Sequence, residues 1–305
     1  MRRAGAIAVL LALALSGCGL GAGARPDGAQ LTITRDFGER ALRELRSPSV
    51  GGSETVMRLL QRNARVTTRF GGGFVQSIDG LSGGTTGGRP VDWFYYVNGV
   101  EAPRGAAATR LRSGDRVWWD RHDWTATQTV PAVVGSFPEP FRHGIDGKRL
   151  PVRVECAPPG SDACRRVSQE LASFDIPAAT GSLQNARADV TLRVLVGPWS
   201  ALRSDPAISE IERGPAASGV YARPAADGRT IAALDAGGHA VRSLGPGTGL
   251  VAATRRGDRE PTWVVTGTDA AGVAAAARAF GQRALDRRFA LAVSGGRPLA
   301  LPVSP

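Results

Sequence analysis

The chain has 305 residues, three cysteines and a formal net charge of +11, carried almost entirely by arginine with Lys148 the only lysine. The arginines are scattered, without a clustered stripe or interleaved aromatics, which argues against a nucleic-acid partner. After the N-terminus no run approaches eighteen apolar residues, so the body of the chain holds no candidate membrane-spanning helix.

The first element is an export signal. Arg2 and Arg3 precede an apolar run at 4–15 that is too short to span a bilayer as a mature helix. Leu15-Ser16-Gly17-Cys18 follows and resembles the lipobox of bacterial lipoproteins. The resemblance implies cleavage after residue 17 and lipidation of Cys18, placing the protein at the cell membrane on its extracytoplasmic side. The alternative is a plain secretory signal with an incidental cysteine, and either reading removes the chain from the cytoplasm. Loss of residues 1–17 leaves 288 residues at a charge of +9, because Arg2 and Arg3 leave too. That length suits two domains. Residues 18–30 are small and aperiodic, and read as a flexible tether.

Residues 31–36 alternate as a strand, and Ser53-Glu54 opens a helix that places Val56, Leu59 and Leu60 on one face. Strands are expected at 66–70 and 74–78, around the glycines at 71–73, with a Gly/Thr loop at 81–90. Trp93-Phe94-Tyr95-Tyr96-Val97 is a β-prone run ending in the hairpin signal Asn98-Gly99, and residues 115–120 give a further strand. One helix among several strands in about ninety residues is an α+β arrangement.

Residues 125–149 hold three prolines and little pattern, and read as a linker. From 150 to 305 strands and helices alternate: strands at 150–155, 190–196, 262–266 and 289–293, helices at 164–174 and 269–287. The second helix is capped by Asp269 and carries a stripe of Val273, Ala277, Phe280 and Ala284. This half reads as an α/β domain of no recognised family. With Cys18 lipidated, Cys156 and Cys164 are expected to form a disulfide; they lack the Cys-x-x-Cys spacing or nearby histidine of a redox or metal pair.

Several strings in residues 31–124 occur together and in order. They are Ser53-Glu54-Thr55-Val56, Gly73-Phe74-Val75-Gln76-Ser77-Ile78-Asp79-Gly80, Trp93 to Gly99, and Ser113-Gly114-Asp115-Arg116-Val117-Trp118-Trp119. They resemble the transcobalamin C-terminal-like domain family, a β-grasp-type module of exported bacterial lipoproteins. The resemblance implies a β-grasp fold and, from the vitamin carriers, cobalamin or another planar ligand. It departs from those carriers in residues 150–305, which show no all-helical barrel. The expected fold class is therefore α+β: an N-terminal β-grasp-like domain followed by an α/β domain.

Chemistry-bearing motifs are sparse. Gly80-Leu81-Ser82-Gly83-Gly84 matches the nucleophile elbow in letters, but a loop follows where the elbow needs a helix. His122, His143 and His239 lack metal-ligand spacing, and Lys148 lacks the upstream glycines of a phosphate loop. Asp120, His122 and Asp123 imitate an acid–base group, against the plainer reading of an exposed polar strand end. Trp93, Tyr95, Tyr96, Trp118 and Trp119 are the expected ligand-binding residues. Their alternation sends neighbouring rings to opposite faces, and one small core does not cover both. The expected function is a tethered, non-catalytic ligand-binding lipoprotein with no resident cofactor, whose small-molecule ligand is cobalamin or another planar or amphipathic compound. The alternatives are a scaffold that docks a transporter or envelope complex through a sheet edge, and a cell-wall-acting enzyme with its site in the second half.

Overall fold

The computed structural model describes residues 28–47, 49–183 and 190–304. The expected signal peptide, Cys18 and most of the expected tether lie outside the described residues. Strand β1 (Ala29–Arg35) sends Leu31 and Ile33 to one face and Thr32 and Thr34 to the other. Strand β2 (Arg40–Ser47) returns antiparallel to it and was not expected. An edge strand with no buried face needs no apolar alternation, so β2 leaves no period-two signal. Helix α1 (Val56–Asn63) buries Val56, Met57, Leu59 and Leu60. Its cap is Thr55, whose hydroxyl accepts from the Arg58 amide.

Strands β3 (Val66–Arg69), β4 (Phe74–Ile78) and β5 (Leu81–Ser82) form a small sheet. Strands β6 (Gly84–Thr86), β7 (Arg89–Val97), β8 (Val100–Glu101) and β9 (Arg116–Asp123) complete the main one, in the order β2-β1-β9-β7-β6 with β8 on the end of β7. The expected loop at 81–90 thus supplies two short strands. Strands β1 and β9 run parallel and the other pairs antiparallel. Asn98 and Gly99, at φ 54° and 76°, make the tight turn into β8 that their dipeptide foretold.

The second half is built on a seven-stranded mixed sheet. Strand β10 (Val152–Cys156) leads through α2 (Asp162–Ala172) to β11 (Ala178–Ser182), and β12 (Leu192–Pro198) follows. Three one-turn helices come next: α3 (Trp199–Leu202), α4 (Pro206–Ser209) and α5 (Pro215–Ser218). A three-stranded sheet of β13 (Ala222–Pro224), β14 (Ile231–Leu234) and β15 (Ala240–Leu244) precedes β16 (Gly249–Thr254) and β17 (Thr262–Gly267). Helices α6 (Ala270–Ala279) and α7 (Gln282–Leu285) and strands β18 (Ala290–Ser294) and β19 (Arg297–Leu301) finish the chain. The large sheet runs β11-β10-β12-β17-β16-β18-β19, parallel through β17 and antiparallel beyond it. The chain is α+β. Cys156 and Cys164 are bridged, as expected; a loop of that size stabilises by about 2.5 kcal/mol in the chain-entropy model.

Two expectations are corrected here. The helix expected over 269–287 is two helices, because Phe280 leaves helical geometry at ψ 89°. Its ring goes instead between Phe137 and Trp263, at 4.9 and 6.0 Å. Helix α6 lies close on the sheet through glycine: a Cβ on Gly272 would stand 2.2 Å from the Thr248 carbonyl oxygen.

The second correction concerns residues 125–149, which are not a free linker. Val130 and Val133 enter one core, while Ala132, Val134, Phe137 and Phe141 enter another. The segment adds backbone bonds from Val133 N to Gly99 O and from Val134 N to Phe289 O, tying β8 to the start of β18. Alternating apolar residues with both neighbours apolar surfaces make this a buried strand-like connection, which prolines obscured in the sequence.

Candidate functional site

The expected aromatic site is not an open face. Leu31, Ile33, Trp93, Val117 and Trp119 pack with α1 and Val75 and Ile78 of β4 in one core, and Tyr95 lies against it. Tyr95 stacks on Trp119 at 4.7 Å, and its hydroxyl meets Thr109 Oγ1 at 2.8 Å. Tyr96 and Trp118, on the opposite face, pack with Phe37, Tyr221, Leu195 and Phe289 in a second core supplied largely by residues 195–301. Relative exposures of 5% for Trp93, 0% for Tyr96 and 2% for Trp118 and Trp119 leave a ligand no access to these rings. The sequence argument that one core could not hold them was sound; a second core on the far face of the sheet holds the remainder.

Asp120 and His122 are likewise not an exposed strand end. Both are buried in the seam between the two halves. The Asp120 carboxylate accepts from the Phe37 amide at 3.1 Å, the Gly38 amide at 2.9 Å and the Thr34 hydroxyl, and pairs with His122 Nδ1 at 2.9 Å. Trp118 Nε1 donates to Thr34 Oγ1 at 2.7 Å. The His122 ring is stacked between Phe37 and Phe94, at 4.6 and 4.4 Å. This is a dyad in composition, but its carboxylate is filled by local donors and its imidazole is sandwiched, so its role is to hold the seam.

Glu101 stands at the same seam, where its amide donates to Pro131 O and its Oε2 has no hydrogen-bond partner. Burial pushes its carboxyl up to about 7. Burial also raises the Tyr96 and Tyr221 hydroxyls well above the ordinary phenol range, so both remain protonated. Between about pH 4.5 and 7 the folded chain keeps a proton on Glu101 that the unfolded chain releases. Stability should therefore fall as pH rises through that window, by about 3 kcal/mol. Urea unfolding of Glu101→Gln should lose this fall, becoming the more stable protein near pH 8 while matching the parent near pH 4. Parallel pH profiles for the two proteins would show that the group titrates normally.

The open, charged feature lies at the other end of the sheet. A cleft of about 290 Å³ is lined by Gly28 to Gln30, Arg46, Ser47, Gly114, Arg116, Glu139, Arg142 and His143. Its walls are the start of β1, the end of β2, the start of β9 and the 139–143 turn. Buried Asn98 joins three pieces of this frame. Its Nδ2 donates to Asp115 Oδ1 and to Gly144 O, both at 2.8 Å, and its Oδ1 accepts the Arg116 amide at 2.9 Å. The Arg116 guanidinium donates to Phe137 O at 2.7 Å. Burial lowers its pKa; Glu139 opposes that effect, and Arg46 and Arg142 add to it. Both Glu139 oxygens are engaged by one residue, the His143 amide at 2.8 Å and His143 Nδ1 at 2.6 Å. Gly114, at φ 87°, lets the His143 ring close over it, since a Cβ there would stand 2.4 Å from that ring.

Residues 53–123 match the family model of a domain of unknown function, DUF4430. The match runs from before α1 to the end of β9, and so holds Asn98, Arg116, Asp120 and all five expected aromatics. Arg46, Glu139, Arg142 and His143 lie outside it. No curated protein matches the chain. A solved structure from Ruminococcus gnavus ATCC 29149, described as a "putative metal binding protein", aligns over 32% of this chain and 97% of its own, at 12% identity and a TM-score of 0.26. A likeness at that level carries no argument about this chain. Among the described residues no group of three or more His, Cys, Asp or Glu side chains is placed to hold a metal ion.

Sequence reasoning missed the cleft because its arginines are 26 to 96 positions apart and look like the general arginine background. Asn98 carried a signal, but one read only as a turn.

Proposed function

We propose that this chain is a lipid-tethered, extracytoplasmic binding protein that acts without catalysis. The observation that carries this reading is the division of polar groups: the acid–base pair Asp120–His122 is spent inside the seam, whereas the arginine-lined cleft opens outward. The lipobox-like sequence at 15–18 and the Cys156–Cys164 disulfide support the compartment. The transcobalamin-like pattern of residues 31–124 supports a binding role. Cobalamin or another planar ligand stacked on Trp93, Tyr96, Trp118 or Trp119 would require the seam or the first core to open, and Tyr95 already has one face against Trp119, so the cleft is the better place for a ligand. Metabolic labelling with a tagged fatty acid tests the tether: the parent chain should take up label and Cys18→Ser should not. Equal labelling of both would remove the lipoprotein reading.

A second reading, a scaffold docking an envelope or transporter complex, is favoured by one feature. Among the described residues strand β2 pairs only with β1, and its residues from Arg40 to Glu44 are exposed, with Leu42 at 48%. Such an edge can accept an extended segment of another chain. Slower amide exchange along Arg40–Ser47 in the presence of native membranes would support it, and unchanged exchange would dismiss it.

A further inference from the structure

We infer that the tip of the β3–β4 hairpin is a membrane contact, in which Phe70 and Phe74 enter the interface of an anionic bilayer and Arg69 meets its phosphates. It is a contact separate from any lipid on Cys18 and from the cleft described above.

Among the described residues Phe70 is the most exposed large hydrophobic side chain, at 86%. A scattered apolar side chain on a surface needs no explanation, but this one also sits on an unusual backbone. Phe70 has φ 51°, in the left-handed region that bulky side chains rarely adopt. It opens a 3-10 turn (Phe70–Gly72), which the Gly73 amide closes by donating to Phe70 O at 3.4 Å. Glycine would suit that conformation better, and the chain has glycines immediately after it. The ring gains no burial in return. It stands edge-on to Phe74 at 6.4 Å, and Phe74 is itself only half-buried. A strained position that holds an unburied phenyl ring serves nothing inside this fold.

The charge around the tip has one sign. Between Glu54 and Asp79 the chain carries Arg58, Arg62, Arg65 and Arg69, all exposed, and no acidic residue. Arg62 pairs with Glu54 at 2.6 Å, and Asp79 accepts the Arg65 amide at 2.8 Å. The Arg58 guanidinium reaches the neutral Ser53 carbonyl, and Arg69 forms no ion pair among the described residues. Arg69 and Phe74 are partners across the β3–β4 ladder, and Phe70 follows Arg69 directly. One unneutralised cation and two rings therefore lie together at the same end of the hairpin.

This combination favours a bilayer over a protein groove. Grooves in proteins read anchors at set spacings along a helix or strand, or pair with an open edge. The tip offers two adjacent rings and a cation, without such spacing, and so suits a surface that has no shape of its own. Aromatic rings settle at the head-group level of a bilayer, and arginine beside an anionic leaflet adds electrostatic attraction.

The test uses the mature chain of the lipoprotein reading, residues 18–305, with Cys18→Ser so that no acyl chain contributes. It should sediment with vesicles of phosphatidylglycerol and phosphatidylcholine, and more weakly with phosphatidylcholine alone. Phe70→Gly should weaken the partition about tenfold and Arg69→Gln about fivefold, while Phe70→Trp should bind as the parent does. The thermal midpoint separates this from a role in folding. Relief of the backbone at position 70 offsets the freer unfolded chain, so Phe70→Gly should keep the parent midpoint while losing the membrane. Arg297→Gln, on the edge strand β19, removes the same charge from an exposed site and should leave binding intact. Equal loss in Arg297→Gln, undiminished binding of Phe70→Gly, or a lowered Phe70→Gly midpoint that accounts for its lost binding would overturn the proposal. So would failure of the parent to sediment, which would pass the tip to a protein partner. The labelling of Cys18 is read separately, so a failed tether and a failed tip give different results.

Discussion

Phe289→Ala is expected to lower stability by about 3–5 kcal/mol, the usual cost of truncating a buried phenyl ring. The ring is 3% exposed and stands edge-on to four others: Phe37 at 5.1 Å, Trp118 at 5.2 Å, His122 at 5.2 Å and Tyr96 at 5.7 Å. Three of these neighbours belong to the main N-terminal sheet and Phe37 to the turn after β1, while Phe289 leads into β18 of the other half. The close backbone approach here leaves little room for collapse into the vacated space. A Cβ on Gly38 would meet Arg287 O at 2.1 Å, and one on Gly135 would meet Arg288 N at 2.6 Å. The loss should therefore include most of the cavity term, and the variant should expose Trp118 to a fluorescence quencher before global unfolding. Urea midpoints within about 0.5 kcal/mol of the parent would mean that the two halves do not depend on this plug.

Asp120→Ala should cost a comparable amount, about 3–5 kcal/mol, for an electrostatic reason. Removing the carboxylate strips an acceptor from the Phe37 and Gly38 amides and from Thr34, and leaves the imidazole of His122 buried without its partner. None of these donors reaches water, since Thr34 is 0% and His122 2% exposed. Asp120→Asn keeps the shape but replaces one accepting oxygen by a donor, so it should also destabilise, by less. If Asn matched the parent in denaturant melts, the buried network would have to be satisfied with a neutral acceptor, and the assignment of Asp120 as its anionic centre would fail.

The local elements were legible because their causes are local. Residues 31–36 alternate, Asn98-Gly99 is placed to form a tight turn, and Asp269 caps its helix through the Gly272 amide. The disulfide followed from two cysteines eight positions apart in a chain whose N-terminus reads as an export signal. What failed locally failed for want of a local cause: β2 has one neighbour and no buried face, and the break at Phe280 is set by a ring that seeks Phe137 and Trp263.

The sequence by itself determined the α+β class and the division of the aromatic run between two faces. Alternation along an extended strand is a property of the backbone and needs no tertiary information. Only the tertiary structure decided what meets the second face. It brings residues 195–301 across the sheet onto Tyr96 and Trp118, turning an expected binding surface into a core. The arginine cleft was decided the same way. Arg46, Arg116 and Arg142 share it because strand pairing places the ends of β1, β2 and β9 side by side, and Asn98 draws the 139–144 turn against them. Contacts between residues that distant in the chain are set by packing and register, and neither leaves a periodic mark on the sequence.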